Sequence, residues 1–405
     1  MSPLPRVLVL HANYHPTLSF YTDWREAFAR AVECRTELVD LVDPAAHEHA
    51  RRRIREHDMV VLLHSLTADS LGWVRPLEPA LLERGGARLL AIIGNEYNAP
   101  RSHLGMRERI AFLRRVRPDW IGTQLDLEAG RWLYAEVPGA RVVAMPHGLN
   151  PVRFQRLVPD ERRSIDIGAR SARYLPYLGD ADRVRLLERF ERGPLPLPLR
   201  VDVALGTKRL PPEGWAGFLN DCRGTVATEA GTAYLERDDR TANAVADFLA
   251  RRSPSLLLFG LEKRLPPGWL QRRVTTLAQS ATALLISRGH PGADALYARA
   301  DLEEVEARFF RGRSVTHSGK CLSSRHFDAI GTGTCQLMFP GRFNGILEAG
   351  RHYIPVAPDF SDLAEALRRF SDPAERARIA SDALELALSA HTLAHRIRAA
   401  VSLLG

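Results

Sequence analysis

The sequence predicts an α/β protein made of two halves, each a parallel sheet with helices on both faces. Three observations carry this. Short, unbroken apolar runs recur along the first half, as strands covered on both faces require. Polar stretches with helical spacing separate them. The alternation stops at Pro146-His147-Gly148-Leu149-Asn150-Pro151, a turn cluster, and a second alternating series begins beyond it. Ligands of such folds bind beyond the carboxyl ends of the strands, so a cleft between the halves is the expected site.

In the first half, Arg6–Leu10, Met59–Leu63 and Leu89–Ile93 read as buried strands. Trp120–Gly122 and Val142–Met145 are weaker strands, and Thr22–Ala31 and Arg107–Val116 are helices. The boundary falls near residues 150–162. It divides the chain into 1–155, 156–385 and a C-terminal helix in 386–405 that packs back toward the first half. In the second half, Ser164–Gly168, Val201–Leu205, Thr282–Ile286 and Gln336–Phe339 read as strands, and Asp180–Arg192 as a helix. Pro194–Pro198 is a surface connector, because its prolines fit neither a helix interior nor a central strand. Asp372-Pro373-Ala374-Glu375 is a helix start: the Asp caps, the Pro takes the first turn and the Glu reaches back. Asp362-Leu363-Ala364-Glu365 opens the preceding helix in a similar way.

Composition narrows the function classes. Of 405 residues, 45% are hydrophobic and 26% charged, the balance of a soluble globular chain. No apolar run approaches the ~20 residues that span a bilayer, and the first apolar run is too short for a secretory signal. The expectation is a cytoplasmic protein. Cys34, Cys222, Cys321 and Cys335 form no C-x-x-C pair, so reduced thiols are expected rather than a metal or disulfide framework. The net charge is +8, and lysine occurs only at Lys208, Lys263 and Lys320. The basic side chains are spread along the chain and mixed with acids. A nucleic-acid reader gathers them into a patch, so no nucleic-acid partner is expected. A nucleotide, or peripheral association with the inner face of a membrane, fits the charge better.

No G-x-G-x-x-G, G-x-x-x-x-G-K-[ST] or G-x-S-x-G motif follows a predicted strand, which weighs against a nicotinamide dehydrogenase, a P-loop NTPase and an α/β-hydrolase. Polar clusters do stand at strand ends: His11, Asn13 and His15 after the first strand, His64 after the second, and Asn95, Glu96 and Tyr97 after the third. Together they suit one wall of a polar pocket. The densest polar segment is His317–Asp328. It places Lys320, Ser324 and Arg325 at the start of a short helix, where backbone N–H groups and the helix dipole favour an anion. Asp328 follows Arg325 by one turn and shares its side of the helix.

Ser323–Gly331 resembles the R-x-F-E-A-x-x-x-G segment of GT-B glycosyltransferases of the group 1, spore-maturation-like type. The likeness continues through Gly341–Leu347, His352–Pro355, Asp359–Asp362 and Asp372-Pro373. Met145–Asn150 resembles the P-x-G-[VL]-[DN] linker between the domains of such enzymes. The resemblance implies a GT-B fold, two Rossmann-like α/β domains facing across a cleft. It implies an acceptor-binding first domain and a second domain that binds a nucleoside-diphosphate sugar through Arg170, Lys320, Ser324, Arg325 and Asp328. Asp328 takes the acidic position that binds the ribose, and Lys320 stands where relatives carry a carboxylate. Asn13, His15, Asn95 and Tyr97 fall on the acceptor side, with His11, His64 and Glu96 as candidate catalytic groups. The implied reaction moves a sugar to the hydroxyl of a glycan, lipid-linked or small-molecule acceptor, in surface-glycan or glycoconjugate synthesis. It uses no cofactor and no metal, since Lys320, Arg325 and Arg170 supply the cationic charge. Two other readings stay open on the sequence: a non-catalytic module that keeps the fold, and a sugar-nucleotide epimerase of related architecture.

Overall fold

A computed structural model describes residues 3–14, 18–101, 103–206, 210–251, 273, 300–313 and 316–405. The first half holds a six-stranded sheet in the order β2-β1-β3-β4-β5-β6. Its strands are β1 (Arg6–His11), β2 (Arg35–Asp40), β3 (Met59–Leu62), β4 (Arg88–Ile92), β5 (Trp120–Thr123) and β6 (Arg141–Ala144), and every pairing is parallel. The central β3 is buried along its whole length, which explains its unbroken apolar run. The sheet's two faces feed separate cores. One gathers Leu8, Leu10, Val60 and Leu62, and the other Val7, Val9, Met59 and Val61.

The second half holds a five-stranded parallel sheet in the order β11-β10-β9-β7-β8. Its strands are β7 (Ile165–Ser171), β8 (Val201–Leu205), β9 (Cys222–Ala227), β10 (Cys335–Met338) and β11 (Ile354–Pro355). The expected strand at 282–286 lies outside the described residues. Strands β2, β9 and β11 were not anticipated. The expected helices form over Ser19–Ala29, Met106–Val116 and Asp182–Arg192.

The two helix starts read from the sequence differ. Asp372 caps its helix, accepting from the backbone N–H groups of Ala374 and Glu375. Glu375 does not reach back; its carboxylate accepts from Arg369 Nε at 2.8 Å. Asp362 makes no cap bond and instead accepts from Ala357 N at 2.7 Å, tying the loop before the helix. All four cysteines are free and buried. Among the described residues, no helix is long and apolar enough to cross a membrane.

The chain returns to its first half at the end. The helix Leu393–Val401 sets Leu393, Ile397 and Ala400 into the core face formed by Val7, Val9, Trp24 and Phe28. Polar ties join the halves elsewhere. Asp239, from the second half, accepts from Met106 N at 2.9 Å and Arg107 N at 3.1 Å. It thereby caps the helix Met106–Val116, whose own N-cap residue is Gly105. A Cβ at Gly105 would stand 2.6 Å from the Asp239 carboxylate, so a larger residue there would push the capping group aside. On another side, Arg153 Nε donates to Asp23 at 2.8 Å and its Nη2 to Glu26 at 2.8 Å.

Candidate functional site

A cavity of about 540 Å³ opens between the halves. Its walls come from the loops after β4, β5, β7 and β9, from the start of the helix Ser19–Ala29, and from the helix Ser324–Gly331. This is where two facing parallel sheets direct their strand ends.

The second-half wall is cationic. Arg183 and Arg325 both line the cavity. Arg183 is packed over the Tyr174 ring at 3.9 Å, and its Nη2 has no hydrogen-bond partner. Burial, and then the nearby Arg325 charge, pull its guanidinium down to about 9. The buried Arg183 charge lies close enough to Arg325 to feel its repulsion, and a negative group bound in the cavity would relieve the penalty on Arg183. The helix Ser324–Gly331 opens into the same wall. Ser323 and His326 form its capping box, with Ser323 N donating to His326 Nδ1 at 3.0 Å.

Of the residues expected on this side, Arg170, Ser324, Arg325 and Asp328 line the cavity and Lys320 does not. The Arg170 guanidinium is already held, donating to the Asp202 carbonyl at 2.6 Å and the Asp202 carboxylate at 2.7 Å. Asp328 is buried and accepts from Trp215 Nε1 at 3.0 Å. Burial, and then the Asp23 charge, push its carboxyl well above the usual carboxylate range. The Lys320 ammonium sits between Asp180 at 2.7 Å and Asp182 at 3.2 Å, which hold its pKa above the ordinary lysine value although burial alone would lower it. Asp180-Ala181-Asp182 is a D-x-D triplet of the kind that can bind a divalent ion, which corrects the metal-free expectation insofar as that expectation held no such triplet to be present. Here both carboxylates are compensated by Lys320. Among the described residues, no three His, Cys, Asp or Glu side chains converge as a metal site.

On the first-half wall, Asn95, Glu96 and Tyr97 line the cavity, as do Phe20, Tyr21, Asp69 and Gln124. Asn95 Nδ2 donates to Asp69 at 2.8 Å, and Tyr14 OH donates to the same carboxylate at 2.6 Å. Glu96 is fully engaged. It accepts from Thr123 Oγ1 at 2.8 Å, Tyr134 OH at 2.7 Å and Gln124 N at 2.7 Å, so it fixes the loop after β5. The other candidates stay off the wall. His11 is buried beside Asp40, 3.9 Å away, and Asn13 N donates to Asp40 at 3.1 Å. His15 lies outside the described residues. His64 is buried behind Phe20, Tyr21 and His147, its Nε2 3.1 Å from the Phe20 carbonyl. A carbonyl only accepts, so Nε2 carries the proton and Nδ1 is left without a partner.

The sequence reading missed Arg183, Trp215 and His147. Arg183 sits on a helix rich in arginine, and nothing local separates it from its solvated neighbours. Trp215 follows Pro211-Pro212 in a stretch with no apolar strand to announce it. His147 is inside the turn cluster that was read only as a linker.

Residues 268–402 match a family described as glycosyl transferase-like. No curated protein matches the chain. Among solved structures, an alpha-glucosyltransferase in complex with UDP and a 13-mer DNA containing a HMU base is 9% identical, with 99% of each chain covered and a TM-score of 0.54. HepE of Anabaena, in complex with UDP-glucose, is 12% identical, with 99% of each chain covered and a TM-score of 0.49. The likeness to the first of these is one of fold, and the architecture of this chain is GT-B: two parallel α/β domains facing across a cleft.

Proposed function

We propose that the protein is a glycosyltransferase that moves a sugar from a nucleoside-diphosphate donor to an acceptor hydroxyl. The observation that carries this is the pairing of Arg183 and Arg325 beside a capped helix N-terminus in the cavity between the domains. Negative charge grows on the diphosphate as the sugar departs, and fixed cations and backbone dipoles aimed there lower that barrier. In this reading the second domain holds the donor. Arg183, Arg325 and the backbone N–H groups from Ser324 onward take the diphosphate, and Trp215 and Asp328 take the nucleoside, with Asp328 accepting from ribose hydroxyls. The first domain presents the acceptor along Phe20, Tyr21, Asn95 and Tyr97. Arginine supplies the charge that a metal would otherwise supply. The match of residues 268–402 to a glycosyl transferase-like family supports the activity, and the quoted segment motifs support the group 1, spore-maturation-like type. A surface-glycan or glycoconjugate product and a cytoplasmic site at the membrane's inner face complete the proposal.

The test is a thermal-shift and titration series with nucleoside diphosphates. A ligand at a hundred times its Kd stabilises the folded state by about 2.7 kcal/mol. Arg325→Gln should weaken binding roughly ten- to hundredfold, the worth of one charge-assisted hydrogen bond. If no nucleoside diphosphate shifts the melting curve, the proposal is wrong. Donor turnover with and without acceptor separates transfer from epimerisation and from binding alone.

A further inference from the structure

The loop between the domains carries a side chain that the donor contacts above leave unused. His147 lines the cavity with 9% of its surface exposed. Its backbone is pinned from behind by the end of the chain. Arg396 Nε donates to the Pro146 carbonyl at 3.0 Å, and its Nη2 to the His147 carbonyl at 3.3 Å. Leu149 N donates to the His391 carbonyl at 2.8 Å, and Leu393 N to the Leu149 carbonyl at 2.9 Å. Gly148 is wedged so closely that a Cβ would stand 3.0 Å from the backbone of residues 391–393. The imidazole is thereby presented from a rigid support, which a reacting group needs.

Its surroundings set its protonation. The rings of His64 and Phe20 pack at 5.9 and 6.1 Å, and the charges acting on it are Arg396 and Arg325, with no carboxylate among them. Burial and these two cations hold it down to about 4, so at neutral pH it is an uncharged proton acceptor. The other groups near the acceptor wall are already committed. The three donors on Glu96 occupy both its oxygens, His64 is screened by rings, and Asp69 accepts from Tyr14, Tyr21 and Asn95.

We propose that His147 takes the proton of the acceptor hydroxyl during transfer; this rests on the glycosyltransferase reading. The acceptor O–H bond breaks and its proton goes to a ring nitrogen of His147. The freed electron pair on oxygen forms the bond to the anomeric carbon. The bond from that carbon to the diphosphate breaks, and its electrons leave with the diphosphate. The imidazolium then passes its proton to solvent. The donor also prepares the base. A diphosphate on Arg325 cancels one of the two charges that depress His147, so the ring gains basicity only when donor is in place.

Three measurements on the full chain test this. First, the His147 ring is titrated by NMR with and without saturating UDP, and its pKa should rise measurably on binding. Second, His147→Gln should lower kcat roughly 10²- to 10⁴-fold on the UDP- or GDP-sugar that the wild type turns over, while UDP affinity stays within about threefold. The acidic limb of the kcat–pH profile should vanish with it. Third, His147→Ala should regain part of its turnover when free imidazole is added. Wild-type kcat in His147→Gln, with UDP binding intact, overturns the assignment and spares the glycosyltransferase reading. So does a loss that tracks a lowered melting midpoint and resists imidazole. A wild-type chain that binds no nucleoside diphosphate overturns both.

Discussion

Acid should unfold this protein through its buried imidazoles, and His64 shows why. The ring is sealed among Phe20, Tyr21, Trp24 and His147, with one hydrogen bond from Nε2 and none at Nδ1. Burial, and then the His147 charge, pull it from 6.5 to about 3. His326, also fully buried, falls to about 3 for the same leading reason. A histidine whose folded pKa is depressed gives its full stability above the unfolded value. That stability drains away as pH falls from 6.5 toward the folded value, because the unfolded chain takes the proton and the folded one does not. At pH 5 the loss is about 1.5 pH units times 1.36, or ~2 kcal/mol for each of the two rings. Together that is ~4 kcal/mol, against a typical total of about 5–15 kcal/mol. The assay is urea unfolding at pH 7.5, 6 and 5, on the wild type and on His64→Phe. The variant loses the bond to the Phe20 carbonyl and should start about 1 kcal/mol less stable at pH 7.5. By pH 5 it should have overtaken the wild type by about 1 kcal/mol, since one titrating ring is gone. Parallel pH curves for the two proteins would refute the reasoning.

Three further outcomes follow from the packing. Lys320→Ala strands the buried carboxylate of Asp180, while Asp182 keeps Arg185, and should cost about 3 kcal/mol in denaturant melts, in line with breaking other buried pairs. Gly148→Ala forces a methyl group against the 391–393 backbone and should cost about 1–3 kcal/mol by the same measurement. Trp215→Phe removes the donor to Asp328, and nucleoside-diphosphate titrations should show affinity reduced by about fivefold to thirtyfold, with the fold retained by circular dichroism.

Much of the scaffold was legible because buried parallel strands announce themselves. Met59–Leu62 and Leu89–Ile92 are apolar on both faces and read as strands without help from the rest of the chain. The strand β2 was not legible. As an edge strand with only one residue fully buried, its Arg-Thr-Glu-Leu-Val-Asp sequence carries charge like a helix surface. The strand β9 is central yet holds Arg223 and Gly224, and a strand-interior glycine reads as a break. Only the structure shows why it is there: a Cβ on Gly224 would lie 2.4 Å from the Phe370 ring, which packs directly on the strand. The site divides in the same way. The Ser324–Asp328 segment stood out as small, hydroxylic and charged residues together. Arg183 and His147 acquire their character from burial between elements distant in sequence, and local composition does not record that. Lys320 stood out for its rarity, and its place beside Asp180 depends on a loop packing 140 residues away in the chain.

The return of the helix Leu393–Val401 to the first domain has a consequence for biosynthesis. A ribosome makes the strands of the first sheet early, yet the face holding Val7, Val9 and Trp24 stays without its cover until the final turns emerge. At about 5–20 residues per second, the wait from the linker to that helix is on the order of tens of seconds. Through that interval the nascent first domain exposes an apolar face that the finished protein hides. It is a natural substrate for chaperones that hold emerging chains, and premature termination anywhere upstream of residue 393 leaves that face bare for good.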